Sequence, residues 1–250
     1  IEAATAPKKE NIESLLPLDL IELEVGYGLI SVVESDQSGD LMERIVSIRK
    51  QFALDMGIVV PSIHIRDNLQ LAPGEYRILI KGSKVAGGVL RPENLLAMDP
   101  GHVMDPIDGV PTKEPAFGLD AIWITPAYRE RAESAGYTVV DLPTVMATHI
   151  TEILRTHLNE IFGRQEASVL IENFKKSHPK VFEDLTPDPL NLGIIVRVLQ
   201  SLLREQISIR DLLTIFESLA DEGHKTKDIE ILTESTRKSL ARNISQKYKN

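Results

Sequence analysis

The sequence predicts an α+β protein of several subdomains: a discontinuous α/β first subdomain carrying a small inserted α+β lobe, then an all-helical module. Three observations predict it. Before residue 163, short runs rich in β-branched residues alternate with segments of helical periodicity. Residues 81–118 change texture and become dense in Gly and Pro, the mark of an inserted lobe or a functional surface loop. Beyond Gly163 almost every segment has helical spacing.

Residues 1–11 (IEAATAPKKEN) have the composition of a linker, and the apolar patch that follows (Ile12, Leu15, Leu16) either staples the first strand or docks on a neighbour. Residues 20–33 alternate early and read as a strand or hairpin bent at Gly26 and Gly28. After a turn (ESDQSGD), Leu41, Ile45, Ile48 and Phe52 form one stripe of a helix over 41–56, with Gly57 as its stop. Residues 58–65 and 76–81 are strands, and within the Gly/Pro-rich stretch 84–90 and 95–98 are strand-like. The run LDAIWIT is a strand, 127–135 a short helix stopped by Gly136, and YTVV a strand leading into a long helix over 144–162. The helical module holds candidates at 165–174, 190–204, 209–220 and 229–244, with Pro179, Pro187 and Pro189 as punctuation.

A chain of 250 residues supports one large domain or two to three small ones. A net charge of −9 argues against a nucleic-acid binder, which needs a concentrated basic face. The absence of cysteine rules out thiol catalysis, disulfides and Cys-based zinc sites. No apolar run approaches the roughly 18 residues that span a bilayer, and the start has no signal-peptide pattern.

The search for chemistry excludes more than it finds. Of six histidines, His149 and His157 share a helix two turns apart, too far for one ion, and HExxH is absent, so no metal site is expected. His64 before Arg66 and Asp67 is most simply a strand histidine ahead of a polar turn. KGSKVAGG lacks the P-loop ending and its following helix, GYG is not GxGxxG, and no cofactor is expected. GxSxG is absent and the paired carboxylates (Asp105 with Asp108, Glu183 with Asp184) read as solvated surface. The expectation is a protein that is not an enzyme. What remains is KEPAFGLDAIWI, which puts Phe117 between a Pro-rich loop and a strand. An aromatic there either seals a core or lines a groove for an apolar partner, and its residue type favours the core.

Several segments carry a resemblance: LEVGYGLISVV, RIVSIRKQFALDMG, IHIRDNLQL with EYRILIKG, PTKEPAFGLDAIWI, GYTVVD, and GRQEA with SLLREQISIRDLLTIFESLAD. From about residue 18 onward the chain resembles the C-terminal cytoplasmic domain of the flagellar export-gate family, relatives of which serve type III secretion. RDNLQL, EPAFGL and GRQEA, in that order, are specific to that family. The resemblance implies a cytoplasmic part of four subdomains, tied by a linker to a multi-helix membrane region and assembled into a nonameric ring below an export channel. It divides this chain into a linker (1–17), a first α/β subdomain (18–82 and 137–162), an inserted lobe (83–136) and a helical third subdomain (163–250), the fourth lying beyond its end.

The implied partners are flagellar export chaperones carrying filament-type cargo, other export components and further copies of the chain, with no nucleic acid. They dock between the first two subdomains at the inner-membrane cytoplasmic face, and the membrane is reached only through the N-terminal region. Matching the family's groove motif gives Glu114, Phe117 and Thr148, with Gly26 near the hinge. Aspartate is common in the family where this chain has Glu114. The resemblance also leaves room for Leu15 and Leu16 to occupy a neighbouring subunit's groove. The competing reading is a purely architectural ring-building module with cargo recognition elsewhere.

Overall fold

A computed structural model describes residues 18–34, 41–101, 103 and 105–247. The linker at 1–17, with Ile12, Leu15 and Leu16, and residues 35–40 lie outside the described residues.

The first sheet is built from β1 (Ile21–Val25), β2 (His64–Asp67), β3 (Glu75–Ile80) and β4 (Ser83–Val89), in the order β2-β1-β3-β4. β1 runs parallel to β2 and antiparallel to β3, pairing Leu23 with Ile78 and Val25 with Tyr76. Period-two alternation sets the register: Tyr76, Ile78 and Ile80 all point into the core, and a slip by one residue would expose them. Against this sheet lie α1 (Ile30–Glu34), α2 (Leu41–Met56) and α4 (Leu142–Thr156).

The strand expected to run on past Gly26, or to fold back there as a hairpin, ends at Val25. The chain turns instead into a short 3-10 segment (Tyr27–Leu29) and α1. Two close backbone approaches explain both glycines. The N–H groups of Gly26 and Gly28 donate to Glu75 O and Pro73 O at 2.8 and 2.9 Å. A Cβ on Gly26 would stand 2.1 Å from Ala72 O. The strand expected at 58–65 is shorter, beginning at His64. Residues 58–63 run unpaired yet bury Ile58, Val60 and Ile63.

The second sheet, in the order β6-β7-β5-β8, joins β5 (Leu95–Met98), β6 (Val110–Lys113), β7 (Asp120–Ile124) and β8 (Thr138–Val140), antiparallel throughout. Strand pairing therefore moves both edges of the lobe relative to the sequence division. β4, placed in the lobe at 83, is hydrogen-bonded to β3, and β8, placed in the first subdomain, is hydrogen-bonded to β5. One face of the lobe sheet presents Leu95, Ala97 and Ile124 to a small core with Ile107 and with Ala132 of α3 (Arg129–Ser134). The other presents Leu96, Ala121 and Trp123 to the main core.

The helix expected over 144–162 breaks at His157, giving α4 and α5 (Leu158–Ile161). The break carries Leu158, Ile161 and Phe162 into the core shared with the module: α6 (Arg164–Ser177), α7 (Pro179–Leu185), α8 (Leu192–Arg204), α9 (Leu212–Gly223), α10 (Ile229–Ser239) and α11 (Ala241–Lys247). Sequence reading passed over α7, treating Pro179 as a breaker. It stands at the first helical position, where its missing N–H costs nothing. Asp141, Asn191, Asp211 and Asp228 cap α4, α8, α9 and α10 by accepting from first-turn N–H groups.

The module is sewn to the first half at the C-terminus of α2. The carbonyls of Leu54, Asp55 and Met56, left without intrahelical partners, accept from the Arg210 guanidinium (2.9 Å), the Ser208 hydroxyl (2.6 Å) and the Ile209 N–H (3.0 Å).

Candidate partner-binding surface

Phe117 stands on the loop between β6 and β7 and is 61% exposed, so the core reading of its residue type does not hold. The loop is closed on itself. Glu114 N–H donates to Leu119 O and Gly118 N–H to Glu114 O, both at 2.9 Å. Gly118 takes φ +70, where open space surrounds it and only the left-handed backbone calls for glycine. Leu119 beside it is also exposed.

Glu114 is turned inward, away from solvent. Its side chain is buried, with the residue only 3% exposed, and its two carboxylate oxygens accept from Ala116 N–H (2.8 Å) and Phe117 N–H (2.7 Å). Its charge acts on a buried pair on the first subdomain, Tyr76 of β3 and His149 of α4, whose Oη and Nδ1 are 2.6 Å apart. Burial pushes the Tyr76 phenol well above its usual range and the Glu114 carboxylate adds to the rise. Burial holds His149 below the ordinary histidine value, and Glu114 partly opposes this. A phenol beside an imidazole at this distance shares one hydrogen bond, its direction set by the imidazole tautomer.

Thr148, next to His149 on α4, donates its hydroxyl to Thr144 O at 2.8 Å. It lines a cleft of about 430 Å³ between α2 and α4, with Glu43, Arg44, Ser47, Ile48, Thr144, Ala147 and Thr151. Phe117 is not among the residues of that cleft. A larger cleft of about 1190 Å³ continues along α2 and α4 to the module, sharing Ser47, Ile48 and Thr151 with the first and reaching Arg210 and Asn243. The structure thus places Thr148 in a cleft, Phe117 on an exposed loop tip and Glu114 beneath that tip. Gly26 lies apart from all three as a close-contact glycine beside residues 72–73. Sequence reasoning missed Tyr76 and His149. The signal was present, since His149 stands four residues after Val145 and so shares the apolar face of its helix.

Among the described residues no group of three His, Asp or Glu side chains could hold a metal ion. Among the same residues no helix is long and apolar enough to cross a membrane.

The family described as FHIPEP matches residues 1–250. This chain belongs to the FHIPEP family. Among FHIPEP relatives, the flagellar biosynthesis protein FlhA of Bacillus subtilis (strain 168) is 49% identical over 239 residues, 96% of this chain and 35% of that protein. FlhA of Salmonella typhimurium is 45% identical over 230 residues, 92% of this chain and 33% of that protein. The chain therefore spans about a third of the length of the curated relatives it matches. The Chlamydia pneumoniae CdsV protein, solved in complex with CdsO, superposes with a TM-score of 0.81 at 27% identity, over 92% of this chain and 72% of that one. The nonameric SctV-C of EPEC shares the fold, with a TM-score of 0.67 at 23% identity over 91% of this chain and 67% of that one.

Proposed function

We propose that this chain is part of the cytoplasmic docking platform of a bacterial flagellar type III protein-export gate and binds chaperone–cargo complexes rather than catalysing a reaction. The observation that carries the reading is Phe117: a large aromatic held out to solvent on a loop whose every N–H from 116 to 118 is already bonded. An exposed aromatic on a stiff support is the geometry of a binding anchor, because little conformational freedom is lost when a partner covers it. Across the lobe boundary, Thr148 and the α2/α4 cleft offer a shallow, mixed polar and apolar furrow suited to an amphipathic helix.

The relatives named for flagellar biosynthesis support the export role, and the complex of CdsV with CdsO supports a surface that takes partners. The nonameric relative supports a ring of nine copies as the working assembly, set at the inner face of the cell membrane by a preceding membrane region. Gly26 serves this reading as the hinge. It packs closely against residues 72–73, which lead into β3 and Tyr76.

Calorimetric titration with a flagellar chaperone carrying its filament-type cargo tests the proposal. Micromolar binding that falls at least about tenfold in Phe117→Ala, as anchor truncation does, and less in Thr148→Ala is the expected result. Equal binding by wild type and Phe117→Ala would remove the anchor. No binding by a folded wild type would leave the ring-building reading.

A further inference from the structure

We propose that Glu114 is a positioning residue for Phe117, bracing the loop from inside the protein, and not a residue that touches the partner. The inference rests on the docking reading above and deepens it. A carboxylate that reads a partner needs lone pairs open to solvent. Glu114 is 3% exposed, and each of its two oxygens already accepts a main-chain N–H, from Ala116 at 2.8 Å and from Phe117 at 2.7 Å.

The second of those donors is the main-chain N–H of the anchor itself, so the carboxylate fixes the backbone from which the Phe117 ring projects. Main-chain bonds from Glu114 to Leu119 and Gly118 close the same loop, at 2.9 Å each. The pair Tyr76 Oη and His149 Nδ1, 2.6 Å apart and buried on β3 and α4, feels the charge of that carboxylate. Bonds from an ionised acceptor to N–H donors are the stronger kind, and they are the means by which a short loop between two strands holds one shape.

The residue type has a specific requirement. A glutamine would present one acceptor oxygen and one NH2, so one of the two N–H groups would face a donor. An aspartate keeps two acceptor oxygens, and aspartate commonly accepts from N–H groups two and three residues ahead. Glu114→Gln and Glu114→Asp therefore separate bracing from mere size or charge.

The test reads amide hydrogen exchange at Ala116 and Phe117 by NMR in the free protein, beside calorimetric affinity for a flagellar chaperone bearing filament-type cargo. Circular dichroism checks the fold of each variant. In Glu114→Gln both amides are expected to exchange at least about tenfold faster, as loss of a charge-assisted bond requires, with affinity falling in parallel. Glu114→Asp is expected to restore slow exchange and affinity together. Lost affinity with unchanged exchange in Glu114→Gln would overturn the proposal and make the carboxylate a direct contact. Faster exchange with unchanged affinity would overturn it too, since the anchor would then need no brace. Undiminished binding by Phe117→Ala would instead count against the docking reading, while the exchange rates of the free protein would still decide whether Glu114 braces the loop.

Discussion

The helical module and the inserted lobe use their apolar residues in opposite ways. The module closes most of its large side chains inward, Val169 and Ile231 being exposed: α8 alone buries Ile195, Val196, Val198, Leu199, Leu202 and Leu203, and Phe216 of α9 meets Phe174 of α6 edge-on at 4.9 Å. The lobe has a small core of its own around Leu95, Ala97 and Ile124, leans its other sheet face on the main core, and leaves Val110, Phe117 and Leu119 exposed. Fold stability and partner recognition are thus assigned to different places. A thin lobe welded to a thick core can afford an exposed aromatic, because the core does not depend on it.

Phe216→Ala should break the comparison most severely. The ring is fully buried, and truncation of such a phenylalanine costs about 3–5 kcal/mol. Thermal or denaturant unfolding should show that loss across the chain, since the module shares one core with the first sheet.

Acid tests the junction between the two regions. His149 is held below its usual pKa by burial, so it binds its proton less readily when folded than when unfolded. The unfolded chain takes that proton near pH ~6.5. Stability should therefore be complete above that pH and decline as pH falls from there toward the lowered folded value. Glu75 and Glu234, lowered by Arg77 and Arg237, act in a separate window below their usual range. Melting temperatures across pH 5.5–7.5 should fall toward acid in the wild type and flatten in His149→Gln.

Phe117→Ala should have the smallest effect on folding, within about 0.5 kcal/mol, in the same melting assay. A substantial loss would mean that the ring seals the lobe after all.

Much of the fold was legible because periodicity and punctuation agree. The stripe Leu41, Ile45, Ile48, Phe52 before Gly57 marks α2, and the alternation of Tyr76, Ile78 and Ile80 marks β3. The rest depended on contacts between segments distant in sequence. Gly26 and Gly28 look like bends in a strand, yet their reason is the approach of residues 72–73. β8 follows the lobe in sequence and pairs back into it, and the periodic helix breaks at His157, where Leu158 and Phe162 turn into the part of the core shared with the module.

At the site, sequence singled out Phe117, while its exposure and the burial of Glu114 both run against residue-type expectation. Such inversions come from the loop's own hydrogen bonds, which composition does not encode.

Hydrogen-exchange mapping of the chain with and without a flagellar chaperone carrying filament-type cargo tests the central claim most directly. Protection is expected at residues 114–119 and along the facing parts of α2 and α4, with the cores of α8 and α9 unchanged. Protection confined to the cleft between α2 and the module, with 114–119 untouched, would contradict it.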